Sequence, residues 1–148
     1  MIFGRDRRVI HRILVVEDEP LVAFDNEHFL NHAGYSVAGT VANRASAAAA
    51  LAREVVDLVI ADVNLSGDRD GIAVARDAHA RGIAVLFVTG ACPPDARDLA
   101  YGCLAKPYSQ RDLLTSIEIV DAILRGIKLP RAPRGFSLFR ANLDDDAA

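Results

Sequence analysis

The chain has 148 residues, 51% of them hydrophobic and 25% charged, the composition of a single globular domain with a core of its own. A formal net charge of −3 leaves no basic footprint of the kind nucleic-acid binding demands, and no apolar stretch is long enough to span a bilayer. The opening run Met1-Ile2-Phe3-Gly4-Arg5-Asp6-Arg7-Arg8 lacks the apolar centre and small-residue cleavage site of a secretory signal, so the expectation is a cytoplasmic protein with neither nucleic acid nor membrane as partner. The two cysteines, Cys92 and Cys103, have neither metal-ligand spacing nor a disulfide framework and are expected to be reduced and structural.

In chain order, a first strand is predicted over residues 12–16, where Ile13-Leu14-Val15-Val16 runs into Glu17-Asp18-Glu19. A helix starts at Pro20, a favoured first helical residue, and stops at Gly34, with Leu21, Phe24 and His28, and also Ala23, at helical spacing. Residues 35–40 read as the second strand. Asn43 caps an alanine-rich helix over residues 45–54, whose small side chains favour helix and close packing. Residues 57–61 form the third strand and close on Asp62. Turn formers fill the stretch from Asn64 to Gly71, and a helix follows over residues 72–81, ended by Gly82. The fourth strand covers residues 83–88 and leads into Thr89. After Pro93-Pro94 come a short helix near residues 95–100, a brief strand over 103–105 that ends at Lys106, and a last helix over 109–124. Strands and helices in alternation predict βαβ units and a parallel sheet, an α/β fold.

Buried parallel strands deliver their carboxyl ends to one side of the sheet, where open α/β folds place their ligands. Glu17, Asp18 and Asp62 converge there. Crowded carboxylates resist ionising together unless a cation lies among them. Thr89 and Lys106 add a hydroxyl and an ammonium to the same side. The set describes a site for Mg²⁺ and a phosphoryl group.

With an acidic pair after strand one, a lone aspartate after strand three, a threonine after strand four and Lys106-Pro107 after strand five, the chain resembles a receiver domain of the bacterial two-component response regulators over residues 11–126. The resemblance implies a doubly wound, flavodoxin-like sheet of order 2-1-3-4-5. It also implies that Asp62 is the phosphoacceptor, attacking phosphorus in line to form an acyl phosphate. Glu17, Asp18 and Asp62 would hold Mg²⁺ together with the Asn64 backbone carbonyl, and Lys106, the Thr89 hydroxyl and the Gly90 N–H would contact the phosphoryl oxygens. The run Leu86-Phe87-Val88-Thr89-Gly90-Ala91 and the stretch Asp62-Val63-Asn64-Leu65 are similar to single-domain regulators with a Phe-Ala-Thr-Gly motif. Val88 and Cys92 depart from that motif.

Competing readings fall on single residues. A flavodoxin-like nucleotide site needs a phosphate-cradling loop after strand one, and Glu17-Asp18-Glu19 would repel phosphate there. A phosphohydrolase of the haloacid dehalogenase type needs a second aspartate two residues beyond the first, where this chain has Asn64. The alternative that keeps the fold is a pseudo-receiver that binds a partner without being phosphorylated; an intact Asp18, Asp62 and Lys106 set speaks against it. Residues 1–10 are expected to be a solvated arm and residues 127–148 a flexible tail without an effector domain, Arg131, Arg134, Arg140, Phe136 and Phe139 included. The chain is therefore expected to be no enzyme beyond its own phosphoryl transfer. It would take phosphoryl from a sensor histidine kinase or histidine phosphotransferase and engage a downstream protein through residues 95–124. Many receivers carry Tyr or Phe three residues before the lysine; Cys103 occupies that place, so the signal is expected to run through Thr89 and the loop that follows it.

Overall fold

The computed structural model describes residues 7–65 and 69–140. Part of the predicted arm, the centre of the loop after Asn64 and the last part of the tail lie outside the described residues.

The strands β1 (Arg12–Val16), β2 (Ser36–Val41), β3 (Leu58–Asp62), β4 (Ala84–Thr89) and β5 (Gly102–Ala105) are parallel neighbours in the order β2-β1-β3-β4-β5. The fold is the expected flavodoxin-like doubly wound sheet. Strand parity sends alternate side chains to opposite faces, and both faces are covered. Leu14, Val16, Val59, Ala61, Val85 and Phe87 join one apolar cluster with helices α2 (Arg44–Arg53) and α3 (Asp70–Ala80). Ile13, Val15, Leu58, Ile60, Leu86 and Val88 join the other, with α1 (Pro20–His32) and α4 (Gln110–Arg125). Burial on both faces explains why these strands read as unbroken apolar runs.

Local signals set the ends of the elements. Asn43 accepts the Ser46 N–H, and Ser109 accepts the Asp112 N–H, each satisfying a donor that a helix start leaves open. Gly126 ends α4 in the left-handed region, φ +67°, where a side chain would be strained. The fourth predicted helix is a 3₁₀ segment, Pro94–Leu99, interrupted at Ala96. Among the described residues no helix is long and apolar enough to cross a membrane.

The inward face of α1 is Ala23, Asn26 and Leu30, while Leu21 and Phe24 are 80% and 67% exposed, and Phe24 stacks on His28. Three sequence expectations need correction. Residues 7–10 are not simply a solvated arm: Ile10 is fully buried, the Val9 and Ile10 N–H groups donate to Asp121 Oδ1, and the Arg8 guanidinium lies 4.3 Å over the Tyr35 ring. The tail is not flexible throughout, because Phe136–Leu138 forms β6, antiparallel to β5. Beyond it the Arg140 guanidinium covers Tyr101 at 4.3 Å and Arg97 covers Phe139 at 4.6 Å. Finally, Cys92 and Cys103 are not free thiols but form a disulfide. The short passage from β4 to β5 brings their Cα atoms to 6.0 Å, a bridging distance that a separation of 11 residues does not reveal.

Candidate phosphoryl and metal site

Each candidate residue sits where a strand stops. Glu17 follows β1, and its N–H donates to Val41 O at 2.9 Å. Asp62 is the last residue of β3 and Thr89 the last of β4. Lys106 follows β5, and its N–H donates to Thr89 O at 2.7 Å. The backbone thus joins the lysine to the threonine independently of either side chain.

The side chains close the site. Lys106 Nζ donates to Glu17 Oε1 at 2.8 Å and to Asp62 Oδ2 at 2.9 Å, and stands 4.0 Å from Glu19 Oε1. Glu17 Oε2 accepts the Glu19 N–H and Asp62 Oδ1 accepts the Asn64 N–H, both at 3.1 Å. Glu17, Asp18 and Asp62 each bring a carboxylate oxygen within 4.8 Å of the others. Glu17 and Asp62 are buried and Asp18 is half-buried. The Thr89 hydroxyl is fully buried with no hydrogen-bond partner among the described residues, an arrangement that costs free energy until an acceptor or donor arrives. Asn64 and Gly90 are exposed.

Electrostatics separate the two partners of the central ion pair. Burial pushes the Glu17 carboxyl above its ordinary value, and its bonds from Lys106 and the Glu19 N–H offset this only in part. Burial alone would lower the Lys106 ammonium, yet two carboxylates outweigh it and hold the proton more firmly than usual. The ammonium bound between two buried carboxylates keeps itself charged without fully compensating Glu17. The stability tied to a protonated Glu17 is complete below its unfolded value of 4.5 and is lost as pH rises through its higher folded value. The stability tied to charged Lys106 persists until pH climbs past 10.5. Glu17→Gln is therefore expected to melt at a higher temperature than the parent at pH 7 without divalent cations. The difference should vanish below pH 4.5, and a thermal-shift series across pH checks it.

Sequence reasoning did not single out two neighbours of the site. Gly71 packs against the end of β3: a Cβ there would lie 2.6 Å from Val63 Cα and 2.7 Å from the Asp62 carbonyl carbon, and its N–H donates to Val63 O at 3.0 Å. Its place at a helix start made it look like a turn former only. Tyr108 accepts a hydrogen bond from Asn26 Nδ2 at 2.9 Å, bracing α1 against the turn after Lys106. A polar residue on the inward face of α1 was the available signal.

The Response regulator receiver domain family matches residues 13–118. The chain belongs to that family. Receivers are phosphorylated on an aspartate in two-component signalling, and this one is a signalling module rather than a catalytic enzyme. Receivers bind Mg²⁺ in an acidic pocket and exchange phosphoryl with histidine kinases or phosphotransferases. The chain is 28% identical over 116 residues to the TorCAD operon transcriptional regulatory protein TorR of Escherichia coli, covering 73% of this chain and 49% of that protein. It is 29% identical over 118 residues to the transcriptional regulatory protein AruR of Pseudomonas aeruginosa, covering 72% and 48%. It thus spans about half the length of these curated relatives. Among solved structures, the receiver domain of the PhyR response regulator of Erythrobacter litoralis superposes with a TM-score of 0.65 at 30% identity, covering 74% of this chain and 88% of that one. A putative response regulator of Chloroflexus aurantiacus gives a TM-score of 0.65 at 26% identity, covering 76% and 98%.

Proposed function

We propose that this receiver accepts a phosphoryl group on Asp62 from a histidine kinase or histidine phosphotransferase, with Mg²⁺, and works through phosphorylation-dependent protein binding. The observation that carries this reading is the Lys106 ammonium bridging Asp62 and Glu17 beside a buried, unpartnered Thr89 hydroxyl. An Asp62 oxygen attacks phosphorus as the bond to the donor nitrogen breaks, and the electron pair and a proton go to the donor imidazole. Lys106 and Thr89 then gain an acceptor rich in charge, and the Gly90 N–H is assigned a third contact. The crowded set of Glu17, Asp18 and Asp62 fits a hard divalent cation, with the Asn64 carbonyl as a further ligand. Mg²⁺ supplies charge neutralisation to the transferring phosphoryl.

The downstream surface is assigned to residues 95–124, extended by β6. Since β6 lies along β5 and Arg140 lies over Tyr101, a partner approaching that face meets residues 136–140 as well as α4. The receiver unit itself is assigned to residues 11–126, and cytoplasmic placement remains part of this proposal.

Incubation with acetyl phosphate and Mg²⁺ is expected to yield an acid-stable, alkali-labile phosphoprotein on a phosphate-affinity gel. Asp62→Asn should abolish the band. Asp18→Asn should lose both the band and the Mg²⁺-dependent rise in melting temperature that binding to the folded state produces. A band that survives Asp62→Asn refutes the acceptor, and normal phosphorylation of Asp18→Asn refutes the metal set.

A further inference from the structure

The Cys92–Cys103 bridge lies between the phosphoryl site and the surface proposed for output. Cys92 follows Thr89 by three residues, in the loop Gly90-Ala91-Cys92-Pro93 that leads into the 3₁₀ segment. Cys103 is in β5, opposite Phe87 of β4 in the parallel register, and is fully buried in the α2–α3 cluster. The bridge closes a covalent ring that contains the whole 3₁₀ segment. Gly90 and Ala91 are exposed, and a Cβ at Gly90 would touch nothing within 4 Å. Packing around Gly90 therefore leaves room for movement, while the bond from Cys92 to β5 restrains the loop.

We propose that Cys92–Cys103 is a reversible thiol–disulfide site that gates how far the loop after Thr89 can move toward a phosphoryl group on Asp62; the gate rests on the phosphoryl reading above. The co-reactant is a low-molecular-weight thiol–disulfide couple. Cys92 is the half-buried member and Cys103 the fully buried one, so an incoming thiolate bonds to Cys92 Sγ and the Cys103 sulfur leaves with the electron pair and takes a proton. A second thiol attacks the mixed disulfide at the external sulfur and frees Cys92 as a thiol. In sum, the protein disulfide and two thiols become the protein dithiol and one external disulfide. In the oxidised state Thr89 is followed by a loop bonded to a buried point of β5. In the reduced state that covalent tie is gone, and the loop can follow the Thr89 hydroxyl toward the phosphoryl oxygens.

Coupling between two sites is reciprocal. If reduction favours the phosphoryl-bound conformation, phosphoryl must favour reduction by the same factor. The protein is equilibrated in graded mixtures of reduced and oxidised glutathione, the bridge is scored by maleimide gel shift, and beryllofluoride binding with Mg²⁺ is measured by NMR titration. The reduced protein is expected to bind beryllofluoride about five-fold or more tightly than the oxidised protein, the low end of ordinary allosteric couplings. Beryllofluoride should displace the thiol titration toward the dithiol by the same factor. Cys92→Ser should bind like the reduced parent whatever the mixture. Equal binding by the oxidised and reduced forms overturns the gate alone, as does a bridge that stays closed in every mixture. Absence of binding in both forms overturns the phosphoryl reading and the gate with it.

Discussion

Lys106→Met should lower stability by about 2–3 kcal/mol at pH 7 and slow phosphorylation by acetyl phosphate roughly a hundred-fold. The lysine is the cation found between Glu17 and Asp62, at 2.8 and 2.9 Å, and the side chains of these two carboxylates are only 1% and 9% exposed. Removing one partner of a buried ion pair costs about 3–5 kcal/mol, because the other charge stays buried and uncompensated; the Lys106 side chain is 19% exposed, so the lower figure reflects solvent access. The rate effect follows from losing one charged donor aimed at developing phosphoryl charge, where deletion of a single donor costs about a hundred-fold or more. The stability loss should shrink when Mg²⁺ is added, since a divalent cation among the same carboxylates relieves their repulsion. Thermal melts with and without Mg²⁺, together with a phosphorylation time course, measure both effects. An unchanged melt and rate would remove Lys106 from the site.

Gly71→Ala is expected to cost about 3 kcal/mol and to lower the melting point by roughly 9 °C, although Gly71 makes no side-chain contact at all. The added methyl would meet backbone: it falls 2.6 Å from Val63 Cα and 2.7 Å from the Asp62 carbonyl carbon. Neither can yield as a side chain would, so either α3 or the end of β3 must shift. A shift of about 1 Å at β3 carries Asp62 away from Lys106, and a displacement of that size costs catalysis about a hundred-fold. Gly90→Ala is the control, since its methyl meets nothing within 4 Å and its stability should stay within about 0.5 kcal/mol of the parent. Differential scanning calorimetry of the two variants tests the pair. Equal melting points would mean that the contact behind Asp62 relaxes freely.

The order of the elements was legible because burial on both faces makes β1, β3 and β4 apolar runs that end abruptly at Glu17, Asp62 and Thr89. A charged or polar residue at the end of such a run stands out. The inward face of α1 is not legible in the sequence because its contacts are made by Ala23 and Asn26, whereas the larger Leu21 and Phe24 dominate any apolar pattern and are exposed to solvent. Strand β6 left no trace in the sequence. Three residues, Phe136-Ser137-Leu138, are too few to form a strand alone and become one by pairing with β5, a long-range cause that local patterns do not contain. The bridge between Cys92 and Cys103 was hidden for the same reason: only the crossover from β4 to β5 brings the two together. Ile10 and Arg8 read as arm residues in the sequence because Asp121 and Tyr35, which hold them, lie far along the chain.

Strand β6 also bears on solubility. Without it, Gly102–Ala105 would present an open row of backbone donors and acceptors, a template for strands of other molecules. In the folded chain Ala105 N–H donates to Gly135 O at 2.9 Å, and Phe136 lies so close over Gly102 that a Cβ there would come within 2.5 Å of its ring. The exposed margin passes to a strand of three residues, preceded by Pro133 and Arg134 and too short to template much pairing. A protein truncated before Phe136 would therefore keep the site proposed for phosphoryl transfer but associate with itself as concentration rises, with β5 as the sticky strand.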